Sequence, residues 1–297
     1  MCGLVGIFGY HPEAPAVDRV ELETIRDAMA ARGPDDRGTW ISSAGRVGLA
    51  HRRLSIIDPR PEGAQPMASA DGSRVLVYNG EIYNYRTLRK QLVTEGVAFR
   101  SQSDTEVLLE LYDRHGEQLF DRVRGMYAFA LWDERRGALL LGRDPYGIKP
   151  LYYADDGRTV RVASQVKALL AGGRVARRSD PAAKVGFLLL GSVPEPYTPY
   201  RQVRALPAGS SLWVDEHGPA TVRKTFSIAE VFRSAAERAR ELPATELQAE
   251  VTAALVDSVE HHQVADVPVG AFLSAGVDSG ALVGLMRLLL LGILTDI

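Results

Sequence analysis

The chain opens Met1-Cys2-Gly3-Leu4-Val5-Gly6-Ile7-Phe8-Gly9, and these nine residues decide how the rest is read. Residues 4–9 form a short, nearly continuous apolar run, suited to a buried strand. A cysteine stands just before it. Aminopeptidases remove an initiator methionine when the next side chain is small, which would leave Cys2 with a free α-amino group. Such an amine titrates at about 7.7–8.0 and a thiol near about 8.5. The amine is therefore a base close to neutrality, carried on the same residue as a nucleophile that needs one. A cysteine at position two carries little weight alone; its neighbours decide.

Outward from this strand, the first half alternates strands and helices. Leu22, Ile25 and Met29 predict a helix over 20–31 that stops at Gly33-Pro34. Strands are expected over 47–57 and 74–78, the second running into Asn79-Gly80. Amphipathic helices follow over 85–95, ending at Gly96, and over 105–115, with Asp104 as N-cap and Gly116 as terminator. Residues 126–132 and 138–142 flank a hairpin connection, Asp133-Glu134-Arg135-Arg136-Gly137. Residues 151–154 and 159–163 flank a second turn. Residues 172–181 and the stretch holding Pro194, Pro196, Pro199 and Pro207 read as irregular connections. Strand-like patterning fades between 215 and 243. A helix then begins, with Thr245 and Gln248 fitting a capping box and Leu247, Val251, Leu255 and Val259 recurring every fourth residue.

Composition narrows the class. The 297 residues suffice for one large domain or two modest ones, and 46% apolar with 24% charged content is ordinary for a globular chain. A formal net charge of -2 gives no broad basic field, so nucleic acid is not an expected partner. The single cysteine excludes an internal disulfide framework and suits a reducing, cytoplasmic setting. No secretory leader is expected. The apolar tail over 281–294 is interrupted by Arg287 and falls short of the roughly 20 residues that span a bilayer, so a buried helix is expected there and no membrane partner.

Further segments join Cys2 in order: Arg32-Gly33-Pro34-Asp35, His51-Arg52-Arg53-Leu54-Ser55-Ile56-Ile57-Asp58, Gly63-Ala64-Gln65-Pro66-Met67 and Tyr78-Asn79-Gly80-Glu81-Ile82-Tyr83-Asn84. Ser103-Asp104-Thr105-Glu106 and Arg143-Asp144-Pro145-Tyr146-Gly147-Ile148-Lys149-Pro150-Leu151-Tyr152-Tyr153 follow. Across the first 215 residues this series resembles the class II, N-terminal-nucleophile glutamine amidotransferases, and in particular the glutaminase half of glutamine-hydrolysing asparagine synthetases. Ala31 stands where that family usually places a histidine.

The resemblance implies an α+β fold, a four-layer αββα sandwich with Cys2 at the end of a central strand. It implies that Arg53 pairs with the α-carboxylate of glutamine, as a planar, always-charged fork would. Backbone groups of Arg53, Leu54, Ser55, Ile56 and Ile57 would line the same pocket, and Glu81 and Asp104 would hold the α-ammonium. The Asn79 amide and the Gly80 N–H would form the oxyanion hole. Taken singly, Arg53 is a surface ion pair, Asn79-Gly80 a turn and Asp104 a helix cap. Their order behind Cys2 favours the functional reading. The sequence is silent on oligomeric state and leaves a homodimer open, and no cofactor is expected for the glutaminase.

Near the C-terminus, residues 267–273 read as a buried strand, followed by Ser274-Ala275-Gly276-Val277-Asp278-Ser279 and a helical run. A strand, a small-residue loop and a helix N-terminus make an anion site. The segment resembles the pyrophosphate loop of ATP-pyrophosphatase-type synthetases, in which Ser-Gly-Gly-x-Asp-Ser is usual; Ala275 replaces the first glycine. By that resemblance Leu273 lies near adenine, Ser274, Gly276 and Ser279 near the phosphates, and Asp278 near magnesium, with ATP and aspartate as further substrates. The adjacent His261 and His262 suggest a helix-terminal charge rather than a metal site. The expected organisation is a glutaminase domain over 2–215, a connection over 216–243, and an incomplete α/β synthetase fragment over 244–297, since a doubly wound domain needs further βα units. That fragment is expected to be inactive. Two alternatives stay open: an amidotransferase acting on another carboxylate acceptor, and a fragment that binds glutamine without turnover.

Overall fold

A computed structural model describes residues 1–237 and 242–290. The chain forms two compact units, Met1–Ser227 and Ile228–Ile297.

The first unit carries thirteen strands among the described residues: β1 (Gly3–Gly9), β2 (Asp36–Ile41), β3 (Val47–Arg53), β4 (Met67–Ala68), β5 (Arg74–Ile82), β6 (Gly125–Asp133), β7 (Ala138–Arg143), β8 (Tyr152–Asp155), β9 (Thr159–Ala163), β10 (Val203–Ala205), β11 (Ser210–Asp215), β12 (Gly218–Pro219) and β13 (Arg223–Lys224). Its helices are α1 (Arg19–Asp27), α2 (Tyr85–Thr94), α3 (Asp104–His115), α4 (Val166–Ala171) and α5 (Pro181–Leu190). One sheet runs β10-β8-β9-β1-β3-β2, and the other β12-β11-β7-β6-β5-β4 with β13 also against β11.

β1 lies antiparallel between β3 and β9. Successive side chains of a strand point to opposite faces, and here both faces are covered. Leu4 and Phe8 enter the core between the sheets with Leu49, Val77, Ala130 and Leu141. Val5 and Ile7 face the other way, onto Leu22 and Ile25 of α1, Met29 just beyond it, and Leu169 of α4. Two buried faces explain why this strand reads as an unbroken apolar run. α3, paired with α2, packs on the outer side of β5. The layers are thus helix, sheet, sheet, helix.

Several local expectations need correction. α1 ends at Asp27, and hydrogen-bonded turns carry the chain on to Arg32 before Gly33 is reached. β3 ends at Arg53 rather than 57, because the Ser55 N–H leaves the ladder for the Asp35 carboxylate at 2.8 Å. β5 runs on past 78 to Ile82, so that Asn79 and Gly80 lie within it, opposite Ala128 and Tyr127. Asp104 is the first residue of α3 and not its cap: the Ser103 hydroxyl accepts the Thr105 N–H. Pro181 does not sit in a connection but opens α5, behind Asp180, whose carboxylate accepts the Ala182 N–H. Sheet pairing also continues beyond 215, through β12 and β13.

The second unit holds α6 (Ile228–Glu237), α7 (Ala244–His262) and α8 (Val277–Leu290). Pro243 caps α7 without a side-chain bond and Thr245 lies inside its first turn, so no capping box forms. Leu247, Val251 and Leu255 are exposed, whereas Val256 and Val259 are buried. The strand expected over 267–273 is not formed. No described strand of this unit offers it a ladder, and Val269, Phe272 and Leu273 are exposed. The tail is helical to Leu290, but none of α8 is buried; residues 291–294 of the expected helix lie outside the described residues. Among the described residues no helix is long and apolar enough to cross a membrane.

Candidate active site

The register Gly3↔Arg52 brings Cys2, just ahead of β1, beside the end of β3. There the Leu54 N–H donates to the Cys2 Sγ at 3.4 Å, and the thiol donates to the Leu54 carbonyl at 3.6 Å. Arg32 pins the same residue from the other side, its Nε donating to the Cys2 carbonyl at 2.9 Å. Burial pushes the Cys2 thiol up; the Leu54 N–H, the N-terminal amine and the Arg53 guanidinium pull it back, and Asp104 pushes it up again. The N-terminal amine, borne here by Met1, is lowered by burial and by Lys149 and Arg32, against the anions of Cys2 and Glu81.

Arg53 closes β3 and is buried. Its guanidinium donates to the carbonyls of Ile57, Asp58 and Arg60, at 3.2, 2.6 and 3.2 Å. These bonds curl residues 54–60 around the fork. The Asp35 carboxylate, by accepting the Ser55 N–H, braces the start of the same loop.

β5 supplies the other wall. Residues along an antiparallel strand alternate the edge to which their N–H and C=O point. Tyr78 donates its N–H to Gln65 Oε1 at 2.6 Å and accepts from His51 Nε2 at 2.8 Å, so both groups point away from β6. By the same alternation, the Gly80 N–H points to that edge, where Gly80 lines the cavity. A Cβ at Gly80 would run into the Met126 carbonyl and Tyr127 Cα, so only glycine keeps β5 this close to β6. Between them, Asn79 is 1% exposed, and neither its Nδ2 nor its Oδ1 has a partner among the described residues. An unpaired buried amide costs about 1–3 kcal/mol, so one retained in a cavity wall is poised for a ligand's oxygen.

Asp104 sits 3% exposed at the start of α3, and its Oδ2 accepts from the Tyr78 hydroxyl at 2.9 Å and the Ile82 N–H at 3.0 Å. Burial pushes its carboxyl up to about 6, with those two donors pulling against the shift.

One cavity of about 110 Å³ joins these groups. Of the residues proposed from sequence, Cys2, Arg53, Leu54, Ile56, Ile57, Asn79, Gly80, Glu81 and Asp104 line it. Ser55 does not. Sequence reasoning passed over Gln65, Tyr78, Ser103, Thr105 and Lys149, which also line it. Each lies within one of the quoted segments, but only the fold shows that they point to one place. A thiol, a nearby amine, a cation, a buried carboxylate and unpaired donors can together hold a zwitterion and attack a carbonyl carbon.

The second set of expected residues stands differently. In the loop before α8, the hydroxyls of Ser274 and Ser279 bond each other at 2.8 Å, and the Gly276 N–H donates to Ser274 Oγ at 3.1 Å. These bonds tie Ser274, Gly276 and Ser279 to one another, Leu273 is exposed, and no strand precedes the loop among the described residues. Asp278 has no helper: among the described residues no three His, Cys, Asp or Glu side chains cluster to hold a metal. The described residues of this unit do not by themselves fit ATP and magnesium. His261 and His262 close α7, each ring Nδ1 at 2.7 Å from a carbonyl one turn back.

Comparison with known proteins adds the following. Residues 1–226 match the glutamine amidotransferase domain family, and residues 250–292 match the asparagine synthase family. The chain is 38% identical over 291 residues to asparagine synthetase [glutamine-hydrolyzing] 1 of Bacillus subtilis, covering 97% of this chain and 44% of that protein. It is 37% identical over 302 residues to a putative asparagine synthetase [glutamine-hydrolyzing] of Mycobacterium bovis, covering 96% and 45%. The chain therefore spans less than half the length of these curated relatives. Among solved structures, the glutamine phosphoribosylpyrophosphate amidotransferase of B. subtilis superposes with a TM-score of 0.55 at 23% identity, over 76% of this chain and 50% of that one. This last likeness is one of fold alone.

Proposed function

The chain belongs to the glutamine amidotransferase domain family, and from that premise we propose that it hydrolyses glutamine to glutamate and ammonia through a thioester on Cys2. Removal of Met1 places the amine on Cys2 itself. The amine takes the thiol proton as sulfur attacks the amide carbon, and the oxyanion forms against Asn79 and the Gly80 N–H. The amine returns the proton to the leaving nitrogen, ammonia departs, and water then splits the γ-glutamyl thioester. Arg53 holds the substrate's α-carboxylate, while Asp104 and Glu81 hold its α-ammonium. We assign this activity to residues 2–215, with 216–243 a connection and 244–297 the beginning of an acceptor-activating domain. The names of the relatives and the match over 250–292 support aspartate as acceptor of the ammonia.

The observation that carries the reading is that Cys2 and an Asn79 amide with no partner among the described residues line the same cavity as Arg53 and Asp104. Glutamate release by the untagged chain tests it. Activity is expected in the wild type and is expected to vanish in Cys2→Ala; a Cys2→Ala chain that still hydrolyses glutamine would contradict the mechanism.

A further inference from the structure

The acyl transfer leaves one charged cavity residue without a task. Lys149 is 5% exposed and lines the cavity with Cys2, yet its ammonium makes no hydrogen bond or ion pair with any described residue. A lysine carries three donors. An ammonium in this state, open to a cavity, is matched to an anion inside it.

The loop that carries Lys149 is built to hold it still. The Asp144 carboxylate accepts the N–H groups of Tyr146, Ile148 and Lys149, at 3.0, 2.9 and 2.9 Å. Behind it, Arg143 donates from Nε to the Lys149 carbonyl at 2.9 Å and from Nη2 to the Gly147 carbonyl at 2.8 Å. Gly147 takes a φ of 65°, the left-handed turn this wrap requires. One carboxylate inside the loop and one guanidinium behind it thus fix the backbone at 149 from both sides.

Lys149 faces the anions of Glu81, Cys2 and Asp144 and the cation Arg32; burial pulls its ammonium down from the ordinary lysine range, and those anions hold it up. Cys2 faces the N-terminal amine, Arg53 and Asp104. Of these cations, Arg53 spends donors on three loop carbonyls, and the Nε of Arg32 is committed to the Cys2 carbonyl. Lys149 brings all three donors unspent.

Resting on the glutaminase reading, we propose that Lys149 is a positioning residue whose ammonium holds the Cys2 sulfur in its anionic, attacking form. It acts through the sulfur and not on the amino-acid head, which Arg53 and Asp104 hold.

Alkylation of Cys2 across pH 6–9 in the full chain, with neutral iodoacetamide and anionic iodoacetate, tests this. In Lys149→Met the alkylation midpoint is expected to move to higher pH, and the iodoacetate-to-iodoacetamide rate ratio to fall by about threefold or more. The kcat for glutamine is expected to fall by about tenfold with KM changed by less than about threefold, and Lys149→Arg to recover most of the loss. Lys149→Gln, which keeps the length and polarity of the side chain, gives the same readouts should the methionine variant not fold. A folded Met or Gln variant with unchanged midpoint and unchanged reagent ratio overturns the proposal while leaving the glutaminase reading intact. A wild-type chain that hydrolyses no glutamine overturns both.

Discussion

Asp104 shows how one side chain's surroundings set a pH window. Its carboxyl is pushed up to about 6 from 3.8. At intermediate pH the folded chain therefore holds a proton that the unfolded chain has released. The sign follows: the burial of this carboxylate costs stability above about pH 6, and the cost fades as pH falls toward the unfolded value. For substrate the proposed role of Asp104 reverses the sign, because an α-ammonium held by this carboxyl needs its ionised form. Glutamine binding to Cys2→Ala, measured by calorimetry, is expected to hold steady near neutrality and to weaken about tenfold per pH unit below about 6. A dissociation constant that stays flat from pH 8 to 5 would contradict the assignment. At this scale much was legible. Cys2, Arg53, Asn79 and Asp104 stand in recognisable segments, each with a chemistry its residue type suits. Tyr78, Gln65 and Lys149 were not singled out, because a strand hydroxyl, a loop amide and a loop lysine gain meaning only when folding points them at one cavity.

Among the elements, β1 and β5 carry the site. β1 was readable because both its faces are buried, Leu4 and Phe8 to one side and Val5 and Ile7 to the other. β2 was not, since Arg37, Gly38 and Thr39 give it no apolar rhythm and it rests on β3 at a sheet edge. The run over 267–273 failed in the opposite direction: apolar sequence proposes a strand, but a strand needs a neighbour's N–H and C=O groups to exist. β5 was expected to end at 78, yet it carries on through Asn79-Gly80, a pair that often marks a turn. Here the glycine serves close approach instead, and this can be tested. Gly80→Ala drives a methyl toward the Met126 carbonyl and Tyr127. It is expected to cost about 1–3 kcal/mol and to lower the thermal midpoint by roughly 3–10 °C, with loss of turnover as the Gly80 N–H is displaced. An alanine variant with wild-type midpoint and kcat would show that β5 has room to spare.

In the whole molecule, the first unit contains, among the described residues, two apolar cores and every residue of the cavity. One core joins the sheets and the other seats α1 and α4, so the layers that bury β1 also aim its N-terminal end. The second unit leaves Leu247, Val251, Leu255 and Phe272 exposed and turns its small-residue loop upon itself. The sandwich could be anticipated from the order of segments over the first 215 residues. The state of the second unit could not, since sequence patterns report what each element could bury and not whether a partner is there.

Everything in the proposed chemistry depends on sulfur and amine sharing the first residue of the mature chain. Intact-mass spectrometry after treatment with an electrophilic glutamine analogue tests this most directly. The account predicts one adduct, on Cys2, in chains that have lost Met1, and none in chains carrying any residue ahead of it. Equal labelling of chains that retain Met1, or labelling away from Cys2, would contradict it.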